Sequence, residues 1–146
     1  MLYFDTSFLT PAFRKEATSS SIELFLQRQN VGDLAISHWV RIEFTSILAR
    51  DVRMGLMETE TAIDLDRQFE IAVEKTFNVI LPDVNDFDLC KRYLQYFQTG
   101  LRAGDAMHLA VAANHGAEKF YTLDKKLLRA GKLLGLPVAA GIHGRE

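Results

Sequence analysis

Short apolar runs alternate with longer helix-patterned segments along the whole chain, and few folds accommodate that alternation. The apolar runs are Leu2-Tyr3-Phe4, Leu34-Ala35-Ile36, Phe77 to Leu81, Lys119 to Leu123 and Pro137 to Ala140. Between them, Phe8 to Lys15 reads as a helix with Pro11 in its first turn, and Ile22 to Leu26 as a second amphipathic segment behind the serines at 19 to 21. A third helix is capped by Ser37, carries Val40, Phe44, Ile47 and Leu48 at helical spacing, and stops at Gly55. Glu58 to Lys75 and Asp83 to Phe97 follow as further helices, the latter capped by Asp83 or Asn85 and ended by Gly100. Asp105 opens the most apolar helix, Ala106 to Ala113, and a Lys-rich helix leads through Gly135 into the last run. Strand–helix alternation implies right-handed crossovers and an α/β fold with a mainly parallel sheet covered by helices on both faces.

Length and composition narrow the class further. A chain of 146 residues, 48% hydrophobic and 25% charged, suits a single globular domain spanning 1–146. No apolar run approaches the length of a membrane span, and no signal peptide is expected. The lone Cys90 excludes an internal disulfide and makes a reducing, cytoplasmic setting the expectation. A net charge of −2 is unusual for a nucleic-acid binder, so any such footprint has to be local or supplied by cations. The polar tail from Gly141 to Glu146 is expected to fray.

Four carboxylates stand where chemistry in such a fold collects. Asp5 and Asp124 each follow a predicted strand, at the carboxyl edge where open α/β sheets bind ligands. Either residue equally caps the helix that follows it. Thr122 alternates with Asp124 and would place a hydroxyl beside it. Asp105 sits at the start of the apolar helix, as a cap or as a ligand on a rigid mount. Glu43 falls one turn from both Val40 and Ile47, at the margin of the core stripe. It therefore needs a partner, either Arg50 two turns on or a divalent cation. Mg²⁺ and Mn²⁺ take oxygen ligands, relieve carboxylate repulsion and promote phosphodiester hydrolysis.

Tyr3-Phe4-Asp5-Thr6-Ser7, Arg41-Ile42-Glu43, Gly104-Asp105-Ala106-Met107-His108-Leu109-Ala110 and Tyr121-Thr122-Leu123-Asp124 resemble the four acidic motifs of PIN domains, in the family's order. The compact length resembles the VapC toxins of type II toxin–antitoxin systems. The resemblance implies a three-layer α/β/α sandwich in which Asp5, Glu43, Asp105 and Asp124 form one catalytic pocket binding Mg²⁺ or Mn²⁺. Thr6, Ser7 and Thr122 would be supporting hydroxyls. It further implies an endoribonuclease whose metal-activated water leaves 5′-phosphate and 3′-hydroxyl ends, a homodimer, and inhibition by a VapB-type antitoxin. The helices after Phe8 and around Glu58 are the candidate antitoxin groove. Other readings are a housekeeping PIN nuclease in RNA processing and a non-catalytic RNA- or protein-binding module. A phosphatase ranks lower, because Ser7 stands where a second Asp would be needed.

The remaining chemistry-bearing residues carry weaker expectations. Arg102, just before Asp105, is a candidate for binding substrate phosphate, and Lys125 and Lys126 share that ambiguity. His108 and His115 are two helical turns apart, too far to share an ion. His108 is expected to be a packed histidine rather than a proton shuttle, and His38 and His143 have no partner at ligand spacing. Cys90 reads as core filler, and Trp39 as a core or interface aromatic.

Overall fold

The computed structural model describes residues 1–142. Five strands, β1 (Leu2–Phe4), β2 (Leu34–Ser37), β3 (Asn78–Ile80), β4 (Lys119–Tyr121) and β5 (Val138–Ala139), form an all-parallel sheet in the order β3-β2-β1-β4-β5. The seven helices among the described residues are α1 (Thr6–Phe13), α2 (Ser19–Gln27), α3 (His38–Arg53), α4 (Thr59–Thr76), α5 (Val84–Leu94), α6 (Ala103–Asn114) and α7 (Lys125–Leu133). None of them is long and apolar enough to cross a membrane.

Side-chain alternation along the central strands divides the core into two layers. Phe4 of β1 and Ile36 of β2 face a cluster with Phe8, Ile22, Phe44 and Phe69 from α1 to α4. Tyr3 and Phe120 face the opposite layer, with Cys90, the α6 run and Leu127 from α5 to α7. Register aligns Tyr3 with Phe120 and Phe4 with Tyr121, so β1 and β4 put a stacked aromatic pair with centroids 5.3 Å apart into each layer. The result is the three-layer α/β/α sandwich expected from the alternation. It also explains why α6 is apolar all round: Ala106 through Ala112 are all buried.

Several element boundaries differ from the sequence expectation. Helix α1 begins at Thr6 because the Asp5 carboxylate caps it through the Phe8 amide, 3.0 Å. This earlier start puts Pro11 inside the helix, where it denies the Ser7 carbonyl its usual donor two residues before α1 ends. Helix α5 stops at Leu94, and Phe97–Thr99 form a separate 3-10 turn before Gly100 takes φ +67. Helix α6 begins at Ala103, so Asp105 is its third residue and does not cap it. Of the tail expected to fray, Ile142 packs against the first core cluster. The rest, from His143 to Glu146, lies outside the described residues.

The helix that carries Glu43 is held by its aromatic neighbour. Phe44 of α3 stacks on Phe69 of α4 at 4.0 Å, and both meet the edge of Phe13 from α1. Phe69→Ala is expected to lower unfolding free energy by about 3–5 kcal/mol in urea titrations. A loss under about 1 kcal/mol would show that this stack does not anchor α3.

Candidate active site

Asp5, Glu43, Asp105 and Asp124 converge on one cavity of about 280 Å³, although 119 positions separate the first from the last. Thr6, Ser7, Ser46, Ile47 and His108 complete its lining. The place follows from topology: Asp5 leaves β1, Asp124 follows β4, and strand order reverses direction at that pair. Helices α3 and α6 close the other sides.

Asp5 is 3% exposed and fully engaged. Its Oδ1 accepts the Phe8 amide at 3.0 Å and the Ser7 hydroxyl at 2.9 Å, and its Oδ2 accepts the Thr122 hydroxyl at 2.7 Å. Burial pushes this carboxyl up to about 6, although the facing His108 and the bonds from Thr122, Ser7 and Phe8 favour the charged form. Thr122 thus serves Asp5 rather than Asp124, correcting the sequence expectation. It meets Asp124 only by accepting that residue's backbone N–H at 3.0 Å.

Asp124 is a helix cap, one of the two readings the sequence left open. Its Oδ1 caps α7, accepting from the amides of Lys126 at 2.8 Å and Leu127 at 3.2 Å. Asp124 also lines the cavity, and its second oxygen has no hydrogen-bond partner among the described residues.

Glu43 takes neither the Arg50 pair nor an open position. Arg50 turns instead to Asp51, 3.4 Å away. Glu43 Oε1 accepts the Thr6 hydroxyl at 2.9 Å and meets Nε2 of His108. Burial disfavours its charge, but the His108 contact and the Thr6 bond outweigh that and hold the carboxyl below its usual range. Helix α6 approaches closely here: a Cβ on Gly104 would lie 3.3 Å from Trp39 Nε1 and 3.4 Å from Glu43 Oε2.

Asp105 has no hydrogen-bond or ion-pair partner among the described residues, although it is half-buried. Burial raises its carboxyl, and the charges of Asp124 and Glu43 raise it further, while His108 and Arg102 oppose them. A carboxylate facing other carboxylates without a donor is a site of stored repulsion that a hard cation relieves. The donor set, all oxygen and acidic, suits Mg²⁺ or Mn²⁺ in chemistry.

The acids are not drawn into a tight shell. Among the described residues, the only three metal-capable side chains with donor atoms all within 4.8 Å are Asp83, Asp86 and His115. Those groups are already committed: Asp83 and Asp86 form the capping box of α5, and Asp86 ties Asn114 and His115 at 2.9 and 3.1 Å. His115 lies ten residues from Asp105 along α6, about 15 Å by helical rise.

Arg102 occupies the N-cap position of α6 without capping it and lines a second cavity of about 270 Å³ with Lys126. That cavity shares Asp105 and Asp124 with the first. Sequence reasoning set His108 aside and missed Ser46 and Ile47. The i, i+3 spacing of Asp105 and His108 on one buried helix was the available signal for His108.

The parallel three-layer fold with an acidic pocket at its carboxyl edge defines the class of protein. Over residues 2–133 the sequence matches the PIN domain family, and the chain belongs to it. Among curated proteins none matches significantly. Similar solved structures include FitAcB from Neisseria gonorrhoeae, with a TM-score of 0.76 at 17% identity over 97% of this chain and 98% of that one. VapBC2 from Rickettsia felis, bound to a promoter DNA fragment, gives 0.67 at 14% identity over 95% and 98%. VapC20 from Mycobacterium tuberculosis, a sarcin–ricin loop cleaving toxin, gives 0.66 at 18% identity over 90% and 95%. These similarities concern the fold.

The raised Asp5 carboxyl sets a pH signature. Its folded value of about 6 lies above the ordinary 3.8, so the folded state holds the proton more tightly and loses stability as pH rises from about 4 to about 6. In EDTA, Asp5→Asn is expected to be about 2–3 kcal/mol more stable relative to wild type at pH 8 than at pH 4. An equal difference at both pH values, measured by urea unfolding, would contradict this electrostatic account.

Proposed function

We propose that residues 1–146 act as one PIN-type unit, a divalent-cation-dependent endoribonuclease of VapC-like toxin character. The observation that carries this reading is Asp105: a half-buried carboxylate with no partner among the described residues, facing Asp124 and Glu43. A purely binding or scaffolding module gains nothing from that repulsion, whereas a cation site requires it.

Asp5, Glu43, Asp105 and Asp124 would hold Mg²⁺ or Mn²⁺, which when bound supplies Lewis acidity toward a phosphoryl oxygen and lowers the pKa of water. The protein's own contribution is orientation. Ser7 and Thr122 fix Asp5, Thr6 fixes Glu43, and the α7 amides fix Asp124. Arg102 and Lys126 line the adjoining cavity and make no ion pair among the described residues. They would hold a neighbouring backbone phosphate of the RNA, so that an acidic protein binds a polyanion through two local cations and a metal.

Toxin character is supported by the neighbouring folds, several of which are toxin–antitoxin complexes, including one from Klebsiella pneumoniae. A VapB-type antitoxin, a homodimer and a cytoplasmic setting belong to the same proposal. The antitoxin would have apolar surface to cover: Leu24 on α2, Ile42 on α3, and Ile63 and Ile71 on α4 are exposed. A groove of about 560 Å³ lined by Ile42, Arg41 and Glu70 shares Ser46 with the acidic cavity.

The test is cleavage of structured RNA by purified protein. Cleavage is expected with Mn²⁺, absent in EDTA, and at least about a hundredfold slower in Asp105→Asn, or about 2.7 kcal/mol of barrier. Cleavage that persists in EDTA, or at the wild-type rate in the variant, would contradict the proposal.

A further inference from the structure

Helix α6 buries seven consecutive residues, and one of them, His108, is polar at 1% exposure. A buried imidazole is costly unless both ring nitrogens are bonded, and here both are. Nδ1 lies 2.9 Å from the Tyr3 hydroxyl, and Nε2 meets Glu43 Oε1. The Tyr3 hydroxyl in turn donates to Ser37 Oγ at 2.9 Å, and its ring is held by stacking on Phe120. Ser37 is free for this because, although it occupies the N-cap position of α3, its side chain caps nothing.

Glu43 differs from Asp5 and Asp124 in how it is aimed. Each aspartate accepts backbone amides at a helix start, so its direction follows from the fold. Glu43 lies within α3 on a longer, more flexible side chain, and only Thr6 and His108 hold it, both through Oε1. Its Oε2 has no side-chain partner among the described residues and stays available.

We infer that His108, braced by Tyr3, is a positioning residue that fixes the Glu43 carboxylate so that Oε2 is presented to a divalent cation. The inference rests on the cation-dependent reading above and assigns a function to a residue that lies one helical turn from Asp105 on the same mount. Hydrogen-bonded neighbours of metal ligands typically change metal affinity by 10- to 100-fold when removed.

The test compares two amides of different reach by calorimetric titration of Mn²⁺ alone. Gln at position 108 carries its N–H to about the place of Nε2, whereas Asn reaches only about as far as Nδ1. His108→Asn is expected to weaken Mn²⁺ binding by about 10-fold or more, and His108→Gln to stay within about threefold of wild type. A merely structural role would move both alike, so equal affinities in the two variants would overturn the inference. Should His108→Asn fail to fold, Tyr3→Phe decides: it keeps the stacked ring and removes only the brace. Weaker Mn²⁺ binding there supports the inference, and unchanged binding overturns it. Asp5→Asn separates the underlying reading. Mn²⁺ binding that survives in that variant would put the ion elsewhere and remove the site on which the inference stands.

Discussion

The buried Asp5 carboxylate at the end of the central strand is the joint on which the rest of the site depends. It caps α1, accepts the Ser7 hydroxyl, and accepts the hydroxyl of Thr122, which directly follows β4, the neighbour of β1. One side chain therefore sets where the first helix starts and how β1 and β4 are tied at their carboxyl ends. Both of its oxygens accept these bonds, which favour the charged form. Burial works against the charge, which is why its carboxyl is shifted up to about 6.

Around that joint the chain places three more acids by three different means. Asp124 is aimed by backbone amides, Glu43 by a histidine and a threonine, and Asp105 by the rigidity of a helix buried on all sides. Burial, and after it the charges of Asp124 and Glu43, raise the Asp105 carboxyl, a cost to the metal-free protein. Such cost is expected where function rather than stability decides the residue. The adjoining cavity with Arg102 and Lys126 gives the same acids a positively charged neighbour, the arrangement a polyanionic substrate would need.

The order of strands and helices was legible because period-2 and period-3.6 apolar patterns are local. The three aspartates were legible because each stands beside a recognisable strand end or helix start, Glu43 because it falls at the margin of a core stripe, and all four because together they resemble a family pattern. What stayed hidden depended on partners distant in sequence. Glu43 was expected to choose between Arg50 and a cation, but its protein partner is His108, 65 residues away, and no local spacing encodes that pairing. Thr122 was expected to serve its neighbour Asp124 and instead bonds Asp5, 117 positions earlier, because strand order puts β4 beside β1. Pro11 was read as a first-turn residue because the helix was started at Phe8, although Asp5 had been offered as a cap and in fact starts the helix at Thr6. In each case the sequence shows the residue's chemistry, and topology selects what it meets.

The central claim is that the pocket of Asp5, Glu43, Asp105 and Asp124 holds a divalent cation, and anomalous scattering from a Mn²⁺-soaked crystal tests it most directly. The account predicts an anomalous peak within coordination distance of Asp105 and at least one other of the four acids. A peak only at Asp83, Asp86 and His115, or none at all at saturating Mn²⁺, would contradict it.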